Sequence, residues 1–172
     1  TAGPPEAILV RDKQAFLRDL PRIGHDRGVA RNLLEAATDQ NRSGLELRLA
    51  RRFGLQGPDE RFALVEQVLL RPLQPEREQR GPLLKSALAA DPYSLRIVLV
   101  FAGAAGRLAD PNFRAYVEQV ANEEAPAHLA LRVRWLDAAT YARFERLHGA
   151  FLEQWRHALA AQSGAARTSG WR

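Results

Sequence analysis

The hydrophobic pattern of the chain changes about a third of the way along. Up to about residue 54, apolar residues recur at steps of three and four, which is the spacing of one face of an α-helix. The third helical segment also alternates leucine with other residues, so a strand stays open as a second interpretation there. The predicted helices are a short one before Pro21, a second from Val29 to about Asp39, and a third over 45–53 with Gly54 as C-cap.

Beyond residue 60 the pattern is typical of strands, at 61–72, 94–101 and 128–136. The first of these segments is rich in Val, Leu and Phe and stops at a proline. The second carries bulky apolar residues on both faces, as a central strand does. In the third, every odd position from 129 to 135 is apolar, which predicts a strand with one face exposed.

Two helices are predicted among and after these strands. Asp110 is an N-cap residue and Pro111 takes the first helical position, so a helix begins here and runs to about residue 124. Because this helix joins two strands, 94–101 and 128–136 should form a parallel crossover unit. Asp137 then precedes a last helix with a stripe of aromatic residues.

The order of elements predicts an α+β fold. N-terminal helices are followed by β-β-α-β-α, with a small mixed sheet covered by the two C-terminal helices. The predicted division is an N-terminal helical segment over 1–57 and an α+β domain over 58–161. Residues 162–172 are rich in Gly, Ser and Ala, so we expect a disordered tail there.

Composition narrows the classes of function. The chain has 172 residues and no cysteine, which excludes disulfides, thiolate catalysis and Cys-zinc sites. It also has no methionine, as expected of a piece of a longer polypeptide. No window holds the roughly 18 apolar residues that a membrane span needs, and no signal peptide is visible at the start. We therefore expect a cytoplasmic protein without a membrane partner.

Residues with catalytic or metal-binding chemistry are not arranged in patterns that use it. The four histidines show no His-x-x-x-His or His-Glu-x-x-His spacing. No serine lies in a Gly-x-Ser-x-Gly elbow. The glycines of "FAGAAGRLAD" lack the Gly-Lys-Ser/Thr ending of a phosphate-binding loop. The sequence therefore predicts no catalytic, cofactor or metal site, and a protein that is not an enzyme.

The most concentrated basic feature is a strand face that carries Arg96, Arg132 and Arg134, with His128 nearby. One interpretation is a patch that binds phosphate or an acidic partner. The other is a solvated face on which arginine stems cover aliphatic neighbours. A nucleic acid is the less favoured partner, because the formal charge is only +5 and acids are interspersed with the arginines.

Three ordered stretches resemble a known family. They are "RLARRFGL…RFALVEQVLLRP" (48–72), "DPYSLRIVLVF…EEAPAHLALRVRWLD" (91–137) and "YARFERLHGAFLEQW" (141–155). Together they are similar to a domain of large bacterial proteins, some associated with phage-tail-like contractile injection systems. This chain departs from the family pattern at Gln67, where the family has histidine, and in "FAGAAGRL", where the family has Pro-x-Trp.

The resemblance implies a non-enzymatic structural or docking module of a multi-subunit assembly, such as a baseplate or tail-associated component. Its partners would be other protein subunits. A sheet of three strands is smaller than the usual five or so, and an uncovered strand edge is a template for another chain. We therefore expect strand 62–71 or strand 128–136 to continue a partner's sheet. The residues that match the family's motifs should determine the fold: Glu66, Arg71, Tyr93, Arg96, Pro126, His128, Trp135, Phe144 and Trp155.

Overall fold

The structure is a computed structural model. It describes residues 13–15, 17–18, 20–21, 30–36, 38, 40–55, 59–71, 91–104 and 106–168, with side chains as far as residue 161. The elements in chain order are α1 (Gly44–Phe53), β1 (Phe62–Glu66), a 3₁₀ turn (Gln67–Leu70), β2 (Arg96–Ala102), a second 3₁₀ turn (Gly106–Ala109), α2 (Pro111–Glu124), β3 (Ala130–Leu136) and α3 (Ala138–Thr168). The predicted α+β class is confirmed.

The chain forms two compact units. The sheet unit is Leu55–Ala138, and the helical unit combines Thr1–Gly54 with Ala139–Arg172. This differs from the predicted division, in which the last helix closes the 58–161 domain together with the sheet. The predicted tail is also corrected, because α3 continues to Thr168. Its alanines and its glutamine favour a helix more strongly than one glycine and one serine oppose it.

The three strands form a mixed sheet in the order β1-β2-β3. Strand β2 pairs antiparallel with β1 and parallel with β3, as the crossover pattern predicts. β1 is shorter than predicted, because its ladder with β2 ends at the pair of Glu66 and Ile97 and the chain turns at the next residue, Gln67. The chain then tightens into a 3₁₀ turn.

The predicted helix over Val29–Asp39 is wrong. The described residues there form turns, a bend and backbone without regular secondary structure. The cause is Asn41, whose side-chain oxygen accepts from the backbone N–H of Asn32 at 2.8 Å while its amide donates to the Asn32 carbonyl at 2.8 Å and the Ala36 carbonyl at 3.0 Å. A buried asparagine thus takes backbone groups that a helix would use.

The helix before the first strand forms as predicted. Ser43 caps α1 by accepting from the backbone N–H of Glu46 at 3.2 Å, and Gly54 ends it in the left-handed region at φ 60°. Leu49 and Phe53, one turn apart, are fully buried. The strand interpretation of this segment is therefore excluded.

The register divides the sheet into two faces. The aromatic face carries a stack in which the Phe101 ring lies 5.1 Å from Phe62 and 4.6 Å from Trp135, centroid to centroid. Its remaining members are Leu64, Glu66, Ile97, Leu99, Leu131 and Val133. The arginine face comprises Ala63, Val65, Arg96, Val98, Val100, Ala102, Ala130, Arg132, Arg134 and Leu136.

Helix α2 covers the aromatic face at the β3 side. Its Glu118 carboxylate accepts from the Trp135 indole N–H at 2.7 Å. Val117 and Val120 of α2 are buried, three residues apart on one face of the helix. Packing of this helix therefore fixes which face of β3 is covered and which stays open.

Phe101→Ala should lower the free energy of unfolding by about 3–5 kcal/mol, because it removes the middle ring of the aromatic stack from a site with no solvent exposure. Chemical denaturation followed by circular dichroism measures the change. The matched control is Leu147→Ala, since Leu147 is 56% exposed and its loss should stay within about 0.5 kcal/mol. Equal effects of the two substitutions would contradict the central role of the stack.

Candidate functional site

The structure brings the three predicted arginines to one face of the sheet. Arg96 aligns with Ala130, while Arg132 and Arg134 align with Val98 and Val100 of β2. Because aligned residues of neighbouring strands share a face, the three arginines lie on the same side. Arg132 and Arg134 are exposed, and Arg96 is half-buried.

His128 lies outside this strand. It is exposed in a turn, which closes when the backbone N–H of Leu129 donates to the Pro126 carbonyl at 2.8 Å. The prediction that His128 begins the strand is wrong, because β3 starts only at Ala130. The N–H of Leu129 is used within the turn, so the first N–H of this segment to bond across the sheet is that of Ala130, which donates to the Leu95 carbonyl.

Spacing on the arginine face follows from strand geometry. Arg132 and Arg134 are two residues apart on β3, so their Cα atoms are about 7 Å apart, and Arg96 sits diagonally from Arg132 at about 8 Å. The strand residues of this face include no acidic side chain. The face is thus an aliphatic surface bordered by positive charge on one edge strand.

The outer edge of β3 is the second component of the candidate site. Ala130 donates its N–H to the Leu95 carbonyl at 2.8 Å, and the Leu136 carbonyl accepts from Gly103 at 2.8 Å. In a parallel ladder the even-numbered residues 130–136 therefore point their backbone groups at β2. The N–H and C=O groups of Leu131, Val133 and Trp135 point away from it. Among the residues that the structure describes, no strand pairs with this edge.

Arg114 of α2 holds the end of this edge strand in place. Its guanidinium lies 5.1 Å from the Trp135 ring centroid, and its Nε donates to the Leu108 carbonyl at 2.6 Å. Its Nη2 donates to the Gly103 carbonyl. A Cβ on Gly103 would meet that nitrogen at 3.2 Å and the Leu136 carbonyl at 3.3 Å, so a larger residue there would need these groups to shift by a few tenths of an ångström.

The next glycine of the same segment has a similar structural cause. Gly106 adopts φ 50°, and a Cβ there would collide with the carboxylate of Glu60. That carboxylate accepts from the backbone N–H of Arg107 at 2.8 Å, and the Arg107 guanidinium stacks 4.8 Å above Phe113. The Glu60 carboxylate therefore fills the space beside Gly106 and binds the segment that follows it.

A tight turn precedes β2. Asp91 accepts from the Ser94 hydroxyl at 2.6 Å, from the Tyr93 N–H at 2.9 Å and from the Arg71 guanidinium at 2.6 Å. These bonds, the serine hydroxyl first, hold the pKa of Asp91 well below its ordinary value. Arg71 also lies 5.6 Å from the buried Tyr93 ring. The motifs "LLRP" and "DPYS" are thus in contact and shape the entry to β2.

The helical unit contains an ion cluster that the sequence did not predict. Glu46 is only 4% exposed, accepts a hydrogen bond from Arg31 at 2.8 Å and forms an ion pair with Arg42 at 3.2 Å. Both arginine side chains are half-buried. A buried carboxylate between two arginines is compensated, and removing one partner would leave a buried charge. The only local signal was Ser43-x-x-Glu46, the spacing of a capping box.

His148 of α3 lies within reach of the same charges. Burial, and next the positive charge of Arg31, lower the pKa of His148, while Glu46 opposes them. The His148 ring stacks on Phe144 with centroids 5.2 Å apart. At neutral pH the imidazole is therefore uncharged and packs against Phe144.

The described side chains include no cluster of three or more histidines or carboxylates that could hold a metal ion. Within the same part of the chain, no helix is both long and apolar enough to cross a membrane. The candidate site is therefore the arginine face together with the outer edge of β3, with which no strand of the described residues pairs.

A comparison of the chain with known protein-family models found no match, and a comparison with curated proteins found none either. The resemblance to the injection-system domain stays a prediction.

Acidification should destabilise the chain through His148. In the unfolded state His148 has an ordinary pKa near 6.5. In the folded state its pKa is lower, so on acidification the unfolded state is protonated first. The stability that His148 contributes is fully present above the pKa of the unfolded state. It is lost as the pH falls toward the lower pKa of the folded state, at up to about 1.4 kcal/mol per pH unit. Urea unfolding at several pH values between 7 and about 5.5 measures the slope.

His148→Gln should flatten this slope, because glutamine cannot be protonated in that range. The control is His157→Gln, an exposed position on the same helix, which should leave the slope unchanged. A slope that persists in His148→Gln would assign the pH dependence to other groups.

Proposed function

We propose that this chain is a non-enzymatic docking module of a multi-subunit bacterial assembly, working in the cytoplasm. The observation that carries the proposal is the outer edge of β3. There, alternate backbone groups have no strand partner among the described residues, while α2 and Arg114 keep the strand fixed. A rigid, open strand edge is a preformed binding site for an extended segment.

Of the two edge strands, β3 suits docking better than β1. β3 has seven residues and β1 has five, and β1 leads directly into a 3₁₀ turn that breaks the ladder. Two of the three exposed residues of β3, Arg132 and Arg134, are charged, and charged side chains are one way in which proteins keep an open edge from aggregating. Of the two strands that the sequence analysis proposed for docking, 62–71 and 128–136, we therefore favour the second.

A non-enzymatic role is supported by what the ionisable groups do. Glu46, Glu60 and Asp91 each bind an arginine of the chain or cap a turn. His148 is held neutral by burial rather than by a substrate-facing partner. Groups engaged in this way stabilise the fold and have little freedom for acid-base chemistry.

A contractile injection system is the assembly we favour, on the strength of the three ordered motif stretches. Arg71, Asp91 and Tyr93, which belong to those stretches, contact one another, so this part of the resemblance coincides with a structural cluster. We therefore expect the chain, or the larger protein that contains it, in the baseplate or tail region of a particle.

Hydrogen exchange on the dilute chain tests the open edge. Amides of Arg132 and Arg134 should exchange slowly because they donate to β2. Those of Leu131, Val133 and Trp135 should exchange much faster because they point outward. Amide-resolved NMR measures the alternation. Uniform protection from 131 to 135 in a monomer would rule out an open edge.

Composition of purified contractile particles tests the assembly. Particles from a strain that encodes this chain should contain it in a fixed ratio to the sheath subunit, and deletion of its coding segment should prevent or alter assembly. Mass spectrometry and electron microscopy provide the two measurements. A strain that forms complete particles without the chain would refute the injection-system role.

A further inference from the structure

The exposed part of β3 presents two kinds of binding group in strict alternation. Leu131, Val133 and Trp135 direct backbone donors and acceptors outward, in the plane of the sheet. The side chains of Arg132 and Arg134 instead project from the arginine face and are exposed to solvent. A ligand that satisfies both must repeat every two residues, which is the period of a β-strand.

We infer that the partner of this edge is an extended peptide segment in which acidic residues alternate with apolar ones. This inference rests on the proposed docking function and specifies its partner. The segment adds to the sheet as a fourth strand beside β3, with its carboxylates on the arginine face and its apolar side chains on the aromatic face.

The positions of the arginines favour close side-chain contact with such a strand. Their backbone groups bond to β2, so toward a new antiparallel strand they occupy non-hydrogen-bonded positions. At these positions the paired Cα atoms are only about 4.5 Å apart, and opposite charges across the pair stabilise it. Arg96, diagonal to Arg132 on the same face, adds a third positive charge to the field.

A second copy of this chain fits the same edge poorly. An antiparallel pair of β3 strands centred on Val133 would set Arg132 of one copy opposite Arg134 of the other, at both ends of the pair. Like charges directly opposite one another destabilise a sheet. The arginines therefore select against self-pairing and in favour of an acidic strand.

A nucleic acid would leave most of this surface unused. Its phosphates could meet the arginines, but they cannot pair with an edge whose donors and acceptors alternate. Base stacking requires a free aromatic ring, and Trp135 already stacks with Phe101 and Arg114. The protein partner is thus favoured by the backbone edge as well as by the charge.

The test uses the full chain and fluorescent peptides as long as β3, with binding followed by anisotropy. The probe peptide alternates glutamate with valine. One control peptide replaces its glutamates by lysines, and another has the same composition with the glutamates grouped together. The chain should bind the alternating acidic peptide and neither control. Binding of the grouped peptide with equal affinity would overturn the strand-addition geometry.

Charge reversal supplies the decisive variant. The double variant Arg132→Glu, Arg134→Glu should bind the acidic peptide about tenfold or more weakly than the original chain does, and it should bind the lysine peptide. The matched control reverses Arg143 and Arg146, which are exposed on α3, so the net charge changes equally. An equal loss in this control would mean that only overall charge matters, which overturns the inference.

Val133→Pro provides an independent variant, because it removes an outward N–H without removing a bond to β2. It should abolish peptide binding while circular dichroism stays unchanged. A generic DNA duplex serves as the last probe: tighter binding than the acidic peptide, lost on reversal of Arg132 and Arg134, would replace the inference with a nucleic-acid site.

Failure of all peptides would overturn the acidic-partner inference alone. The docking proposal would still stand if the chain were present in purified particles with its β3 amides shielded from exchange. If the chain were absent from the particles but bound the acidic peptide tightly, the proposed assembly would be refuted and the inferred partner would still stand.

Discussion

Burial of β2 on both of its faces is the constraint on which the sheet unit depends. Leu99 and Phe101 have no exposure, and Val100 on the opposite face has only 6%. A strand that is apolar on both sides must lie in the middle of its sheet. Among the described residues the sheet has three strands, so β1 and β3 are its edges. The open edge proposed as a docking site is thus a direct consequence of how apolar β2 is.

Much of this arrangement can be read from the sequence because it depends on short-range periodicity. The alternation in β3 predicts its exposed arginines, and the Asp110-Pro111 pair predicts where α2 begins. The length of β1 could not be predicted in this way. That length depends on the register with β2, and β2 lies far along the chain from β1.

The errors have a common physical origin in side chains that compete with backbone pairing. Asn41 bonds to carbonyls five and nine residues earlier and thereby removes a helix that periodicity favours. Glu46 is buried against Arg31, which lies 15 residues away, so no local pattern shows the pair. The close approach of Arg114 to Gly103 likewise explains a glycine that looked only like a loop residue. Such contacts are specified by tertiary structure, which periodicity does not contain.

Arginine on an open strand edge has two consequences that arise from one cause. A charged edge strand pairs poorly with a second copy of itself, so a sheet with an open edge is protected from edge-to-edge aggregation. The same charges lower the free energy of pairing with a strand of opposite charge. Since Arg132 and Arg134 are two residues apart, only a partner with the same two-residue period can meet both while its backbone pairs with Leu131, Val133 and Trp135. Protection from aggregation and selection of a partner are therefore properties of the same two side chains, and a substitution that relaxes one must relax the other.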